Sequence, residues 1–344
     1  MLTAKDFLVS QKDKEDILQD YFEEKLDLVS PNENPQVFFI GGQPAAGKSQ
    51  LIERIQEDFD GAFVIDSDEL RQRHPQINEI INHDPLRMDV LSNEPVGYWF
   101  KTCIDEAKKR RCNIIIENSF TQSQVLIDEA HRFLNDNYHV SFFAIATPEE
   151  ISRLGIIGRY KNAVEQNRLP RWTTSASHDN AYNKMSGVIT EILNSPITDT
   201  VHITSRDQTL THRITNPNEV ETTVTHIRHQ TLTNHPLDTW AQTYAECITF
   251  MHDHNLITNY TQPLLTQLHH DAEKLLPTTQ LPHEHTQLAN TLHTINNPYP
   301  LNTSLLENPH HITQPATQNE NTITHENHNN PTQELTTPTT DMEL

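Results

Sequence analysis

The chain has 344 residues and a formal charge of −22, with 25 Lys and Arg against 47 Asp and Glu. A surface of that sign repels nucleic-acid backbones and anionic membranes, both of which need clustered basic residues, so neither is expected as a partner. Small anionic substrates remain open, because a few arginines in a cleft override the net field locally.

Residues 5–28 carry apolar positions at helical spacing (Phe7, Leu8, Ile17, Leu18, Phe22, Leu26, Leu28), which predicts helices packed beside a core over an N-terminal segment 1–34. The first twenty residues are charged and lack the uninterrupted apolar stretch of a signal peptide. No later run approaches the ~20 apolar residues that span a bilayer. A cytoplasmic protein is expected, with Cys103, Cys112 and Cys247 as reduced thiols, since they form no even framework and no CxxC.

The apolar run 37–40 predicts a buried strand and leads directly into Gly42-Gln43-Pro44-Ala45-Ala46-Gly47-Lys48-Ser49, followed by an amphipathic stretch at 51–58. This is the strand–loop–helix context of a phosphate-binding loop. Its glycines let successive N–H groups turn inward around phosphate oxygens, and the helix dipole adds positive potential. Lys48 reaches the β- and γ-phosphates, and the Ser49 hydroxyl suits Mg²⁺. A nucleoside triphosphate, ATP or GTP, is the ligand expected here.

Further short apolar runs at 62–65, 113–116 and 140–146 predict strands, separated by helical patterns at 69–82, 97–110, 122–136 and 148–163. A fifth strand at 201–204 closes the sheet and pairs with 209–213. Alternation of this kind implies an α/β fold, a parallel sheet with helices on both faces, over a domain spanning 35–215. The basic run Lys108-Lys109-Arg110-Arg111 reads as the solvated end of a helix. After residue 215 the composition changes. All eight glycines lie at or before Gly187, whereas sixteen of the 21 histidines follow Val201. Residues 236–256, 261–276 and 283–294 keep helical periodicity, so 216–296 is expected to form a small helical appendage. Residues 297–344 read as a disordered tail. The histidines of that tail show no HxxxH or similar spacing on a helix and read as solvated.

Ligands of open sheets bind outside the carboxyl ends of the strands. That rule selects the phosphate loop, Asp66-Ser67-Asp68, and Glu117-Asn118-Ser119. Phosphoryl transfer to an alcohol needs a carboxylate near the acceptor hydroxyl and cations around the transferring group. Asp66 and Asp68, two apart after a strand, point into one crevice if the backbone stays extended. Alternatively, Ser67 or Asp68 only caps a helix beginning at Glu69. Arg159, Arg168 and Arg171 supply candidate cations on a segment able to close over the triphosphate.

Together the loop 41–49, the stretch Ile65-Asp66-Ser67-Asp68 with Arg71 and His74-Pro75, the Ile116-Glu117 edge, and Arg159-Tyr160, Arg171 and His178-Asp179 resemble the zeta-toxin family. These are P-loop kinases of bacterial toxin–antitoxin systems, and the resemblance covers about residues 35–205. It implies ATP/Mg²⁺-dependent phosphorylation of UDP-N-acetylglucosamine, with a cognate antitoxin as partner. It further implies Lys48 on the transferring phosphate, Asp68 as general base, Arg159 and Arg171 neutralising the triphosphate, and Glu117 with Ser119 on the sugar nucleotide. Two positions depart from the pattern. A glutamate expected after Tyr98 has Thr102 as its nearest equivalent, and an expected arginine after Ser119 is Thr121. Other acceptors (a different UDP-sugar, an antibiotic, an RNA end) share the same catalytic residues. A non-enzymatic nucleotide-dependent binding module is the alternative of another class.

Overall fold

Val37 and Phe39 face one side of the first strand and Phe38 and Ile40 the other, and all four are buried. Apolar burial on both faces requires a sheet covered on both sides. The computed structural model describes residues 2–59 and 61–295. Its sheet has six strands: β1 (Gln36–Gly41), β2 (Phe63–Ile65), β3 (Ile114–Asn118), β4 (His139–Ile145), β5 (Val201–Thr204) and β6 (Thr211–Ile214). The spatial order is β2-β3-β1-β4-β5-β6, parallel throughout except for the antiparallel β5–β6 pair. From β1 the chain crosses over β3 to reach β2, then from β3 it crosses over β1 to reach β4. The two connections diverge around β1, which is where an open sheet forms its ligand crevice.

The helices α1 (Gln11–Tyr21) and α2 (Lys48–Asp58) take opposite faces. On one face Val37, Phe39, Ile114, Ile116 and Phe142 pack against Leu18 and Tyr21 of α1. On the other, Phe38, Ile40, Ile115 and Ile145 meet Leu51, Ile52 and Ile55 of α2. The short α3 (Ser67–Gln72), α4 (Ile77–His83) and α5 (Met88–Leu91) connect to α6 (Val96–Lys109). With α7 (Ser123–Asn135), α6 completes the first face through Trp99, Cys103, Ile104, Leu126 and Phe133.

One helix expected over 69–82 is in fact α3 and α4, broken at His74-Pro75. A residue before proline is disfavoured in the α conformation, and His74 is fixed outside the helix by the Phe7 carbonyl at 3.0 Å and the Gln76 N–H at 3.1 Å. Two helices had no counterpart in the sequence reading. In α9 (Ser175–Asn194), capped by Thr174, Ala181, Met185, Val188 and Ile192 are buried. In α10 (Val220–Thr233), Val220, Val224 and Ile227 are buried against the sheet core.

The remaining helices centre on α8 (Glu149–Glu165), which buries residues all round its circumference. Leu154, Ile157 and Tyr160 pack with Trp172 and with α11 (Leu237–Asp253), α12 (Gln262–Leu275) and α13 (His283–Thr294). Trp240 and Tyr244 of α11 and Leu265 and Leu268 of α12 are each buried to within 1% of completely. The tail expected from residue 297 lies outside the described residues.

Candidate active site

The phosphate loop leaves β1 at Gly41, whose backbone lies under the Phe120 ring; a Cβ there would stand 2.2 Å from it. At the other end Gly47 caps α2 with φ at 102°, a left-handed conformation that side chains resist. Between them the loop is fixed from behind. Thr147 donates its hydroxyl to the Ala46 carbonyl at 2.7 Å, and Arg206 donates to the Ala45 carbonyl. Gln43 is fully buried and donates to the Thr147 carbonyl at 2.7 Å and to the Ser152 hydroxyl at 3.3 Å. Ser152 in turn meets Nε2 of His178 at 2.8 Å, and His178 Nδ1 meets Asp179 at 2.9 Å.

Lys48 opens α2 and curls across the loop, donating to the carbonyls of Gly42 at 2.9 Å and Gln43 at 3.2 Å. Its Nζ also lies 3.5 Å from the Glu117 carboxylate. Burial lowers its pKa, as do Arg159 and Arg171, while Glu117 opposes them. Pro44 and Lys48 form one wall of a cleft whose other walls carry Ser67, Arg71, Glu117, Ser119, Arg159 and Arg171. Ala45 and Ala46 complete the loop, and Ser49 sits exposed on the first turn of α2.

The capping role falls to Asp66, not to Ser67 or Asp68: its carboxylate accepts from the Asp68 N–H at 2.8 Å, so α3 starts at Ser67. Asp68 then occupies the first helical turn and receives Arg171 on both carboxylate oxygens. The environments of these two acids push them apart. Burial, then the charges of Asp68 and Glu117, push Asp66 up to about 7. Burial would raise Asp68 as well, but Arg171, Arg71 and Arg159 outweigh it and hold Asp68 well below the usual carboxylate range.

Arg171 stays firmly charged despite burial, because Asp68 and Asp89 face it. The next residue, Trp172, is buried edge-on to Tyr160 at 5.7 Å between centroids and anchors the segment. Arg159, on α8, donates to Thr173 at 3.3 Å. Arg168 is exposed and lies outside the cleft.

Several cleft residues had no role in the sequence reading, Arg71 among them although it was quoted for the resemblance. Arg71, one helical turn after Asp68, donates to the Asp89 carbonyl at 3.0 Å and to Asn93 at 3.3 Å. From α6 the wall receives Val96, Gly97 and Phe100. Thr102, the expected substrate contact, does not line the cleft, and its hydroxyl donates to the Tyr98 carbonyl of its own helix at 2.8 Å. Arg206 follows β5, so the same carboxyl-end rule applied to a fifth strand points to it.

A family model described as Zeta toxin matches residues 19–216, more than half of the chain. The chain belongs to the Zeta toxin family. It is similar to Toxin zeta of Streptococcus pyogenes, 28% identical over 174 residues that cover 49% of this chain and 60% of that protein. It is also similar to Toxin PezT of Streptococcus pneumoniae serotype 4, 26% identical over 179 residues, 52% of this chain and 71% of the relative. The chain thus spans 60% of the length of the first of these relatives. Among solved structures, one from the PezAT chromosomal toxin–antitoxin system of Streptococcus pneumoniae matches with a TM-score of 0.59 at 18% identity. That match covers 70% of this chain and 99% of the other, and it establishes the shared fold. The Zeta toxin match ends at 216, so α10–α13 lie beyond it. Among the described residues no helix is long and apolar enough to cross a membrane.

Proposed function

We propose that this Zeta toxin family member is a kinase that transfers the γ-phosphoryl group of ATP to a hydroxyl of a UDP-activated amino sugar, UDP-N-acetylglucosamine. Its proposed role is that of a toxin held in check by a cognate antitoxin. The observation that carries the reading is the contact of Asp68 with Arg171, which lines a cleft together with Lys48, Arg159, Arg71 and Ser67; Asp68 itself sits behind Arg171 and is not among the lining residues. In a chain of charge −22, four cations converge there while Asp66 is pushed toward neutrality. A local positive field in an acidic protein suits a polyanionic substrate pair.

In this reading the loop N–H groups of Gly42 to Ser49 and the Lys48 ammonium hold the β- and γ-phosphates. The Ser49 hydroxyl makes no hydrogen bond among the described residues and is a hard oxygen suited to Mg²⁺. An ion held there would supply neutralisation of the phosphate charge. Asp68 accepts the hydrogen bond of the sugar hydroxyl and takes its proton as the oxygen–phosphorus bond forms. The bond from the γ-phosphorus to the bridging oxygen breaks, and ADP leaves. Arg159 and Arg171 absorb charge on the transferring group. Glu117 and Ser119 face the acceptor, where Asn93, Asn118 and Phe100 add amides and a ring.

Purified protein incubated with ATP, Mg²⁺ and a panel of UDP-sugars is expected to yield UDP-N-acetylglucosamine heavier by one phosphate, read by mass spectrometry. Asp68→Asn is expected to lower kcat by ~10²–10⁴-fold while ATP still binds, the usual loss for a general base. Lys48→Ala is expected to weaken triphosphate binding and to abolish growth inhibition in a bacterial host. Phosphorylation of another acceptor would leave the catalytic assignment standing and replace the sugar. Unchanged toxicity in Lys48→Ala would sink both.

A further inference from the structure

Outside the cleft, one cluster of side chains has the composition of a metal site. His269 and Glu273 stand one turn apart on the same face of α12, and His285 faces them from the first turn of α13. One donor atom from each lies within 4.8 Å of the other two. Glu273 Oε1 is 3.6 Å from His269 Nε2 and 4.0 Å from His285 Nε2. Ligands at ~2.0–2.2 Å from a tetrahedral ion stand only slightly closer together than that.

The surroundings favour an ion over an ordinary polar contact. Glu273 has no Lys or Arg partner among the described residues, and its neighbour Lys274 turns away to Glu150 at 2.5 Å. His285 meets the Tyr244 hydroxyl through Nδ1 at 3.1 Å, which leaves Nε2 toward the cluster. A second-layer partner on the remote ring nitrogen is the usual companion of a metal-bound histidine. His269 Nδ1 is buried and has no hydrogen-bond partner. The two rings lie face to face, 3.9 Å between centroids and 9° from parallel. Their in-plane lone pairs therefore converge only when one ring turns. Coordination therefore requires His269 to turn about its Cβ–Cγ bond, a motion that no hydrogen bond to Nδ1 opposes. Glu273 is half exposed and gives the site an entrance, while the imidazoles are nearly buried.

We propose that His269, Glu273 and His285 bind a divalent transition-metal ion of the zinc class, which pins α13 to α12 and α11. Two imidazoles and one carboxylate suit Zn²⁺ and leave a fourth position to water. The site is independent of the phosphate loop and does not rest on the kinase reading.

The test uses the full chain, without an affinity tag and stripped of metal, titrated with Zn²⁺ against a chromophoric chelator. Histidines 310, 311, 325 and 328 are replaced by Gln in the reference protein so that they cannot compete. One equivalent of tightly held Zn²⁺ and a raised melting temperature are expected. His269→Gln, at a ring whose Nδ1 has no partner, is expected to weaken binding at least ~10-fold without disturbing the fold. Tyr244→Phe is expected to weaken it by about 10–100-fold through the second layer. The proposal is overturned if the reference protein holds no equivalent of Zn²⁺. Undiminished affinity in a His269→Gln, His285→Gln double variant overturns it equally.

Discussion

At the Asp68–Arg171 contact one guanidinium nitrogen, Nη1, donates to both oxygens of a largely buried carboxylate. Arg171→Ala leaves that carboxylate without its charged partner and is expected to lower kcat/KM by at least ~10-fold in the phosphate-transfer assay. Asp66 carries a pH signature. Its folded value of about 7 stands above the unfolded 3.8, so its favourable contribution is complete below about pH 4 and is lost as pH rises through 7. Asp66→Asn keeps a capping oxygen but removes that loss. Thermal melts from about pH 4 to about pH 8 should show the variant gaining on the wild type as pH rises; a constant difference would refute it. Residues on strand ends were legible because the carboxyl-end rule names positions directly. Arg71 was quoted without a role, and Asn93 and Phe100 were not read, since they reach the cleft through helix packing that no local pattern encodes. Thr102 lies off the cleft lining for the same cause: a shift along α6 decides whether a side chain meets the cleft or its own helix.

Strands announce themselves as short apolar runs, and all six lie where alternation and turn residues put them, within a few residues. Helices with mixed faces do not. The apolar stripe of α9 is present at helical spacing but is diluted by Ser, Asn and Thr, and α10 is built on Val and Ile, which favour strands. What α9 contributes is a rear support for the phosphate loop: His178 on α9, Ser152 on α8 and Gln43 in the loop form one buried chain of hydrogen bonds. Removing a link strands the others without water. His178→Ala is expected to cost about 1–3 kcal/mol in urea unfolding, and ATP affinity should fall with it. Wild-type stability in that variant would show the chain to be dispensable.

Across the whole molecule, α11–α13 close over α8, the helix that carries Arg159. Trp240 anchors this layer, fully buried and donating its indole N–H to the Glu150 carbonyl at 3.2 Å. Trp240→Ala is expected to destabilise the protein by about 3–5 kcal/mol, read by denaturant unfolding. The sequence marked these helices by periodicity yet gave no hint of what they cover, because docking partners far apart in the chain leave no trace in either segment. The three cysteines offer a way to watch that closure. All are buried, and burial raises each thiol, Cys247 to about 12. Thiolate is the reactive form, so alkylating reagents should find the native protein almost inert. Each sulfur then becomes a clock for its own neighbourhood, Cys103 ticking when α6 lifts from the sheet and Cys247 when α11 leaves α8. Mass-resolved labelling would show whether the two halves breathe together or one gives way first.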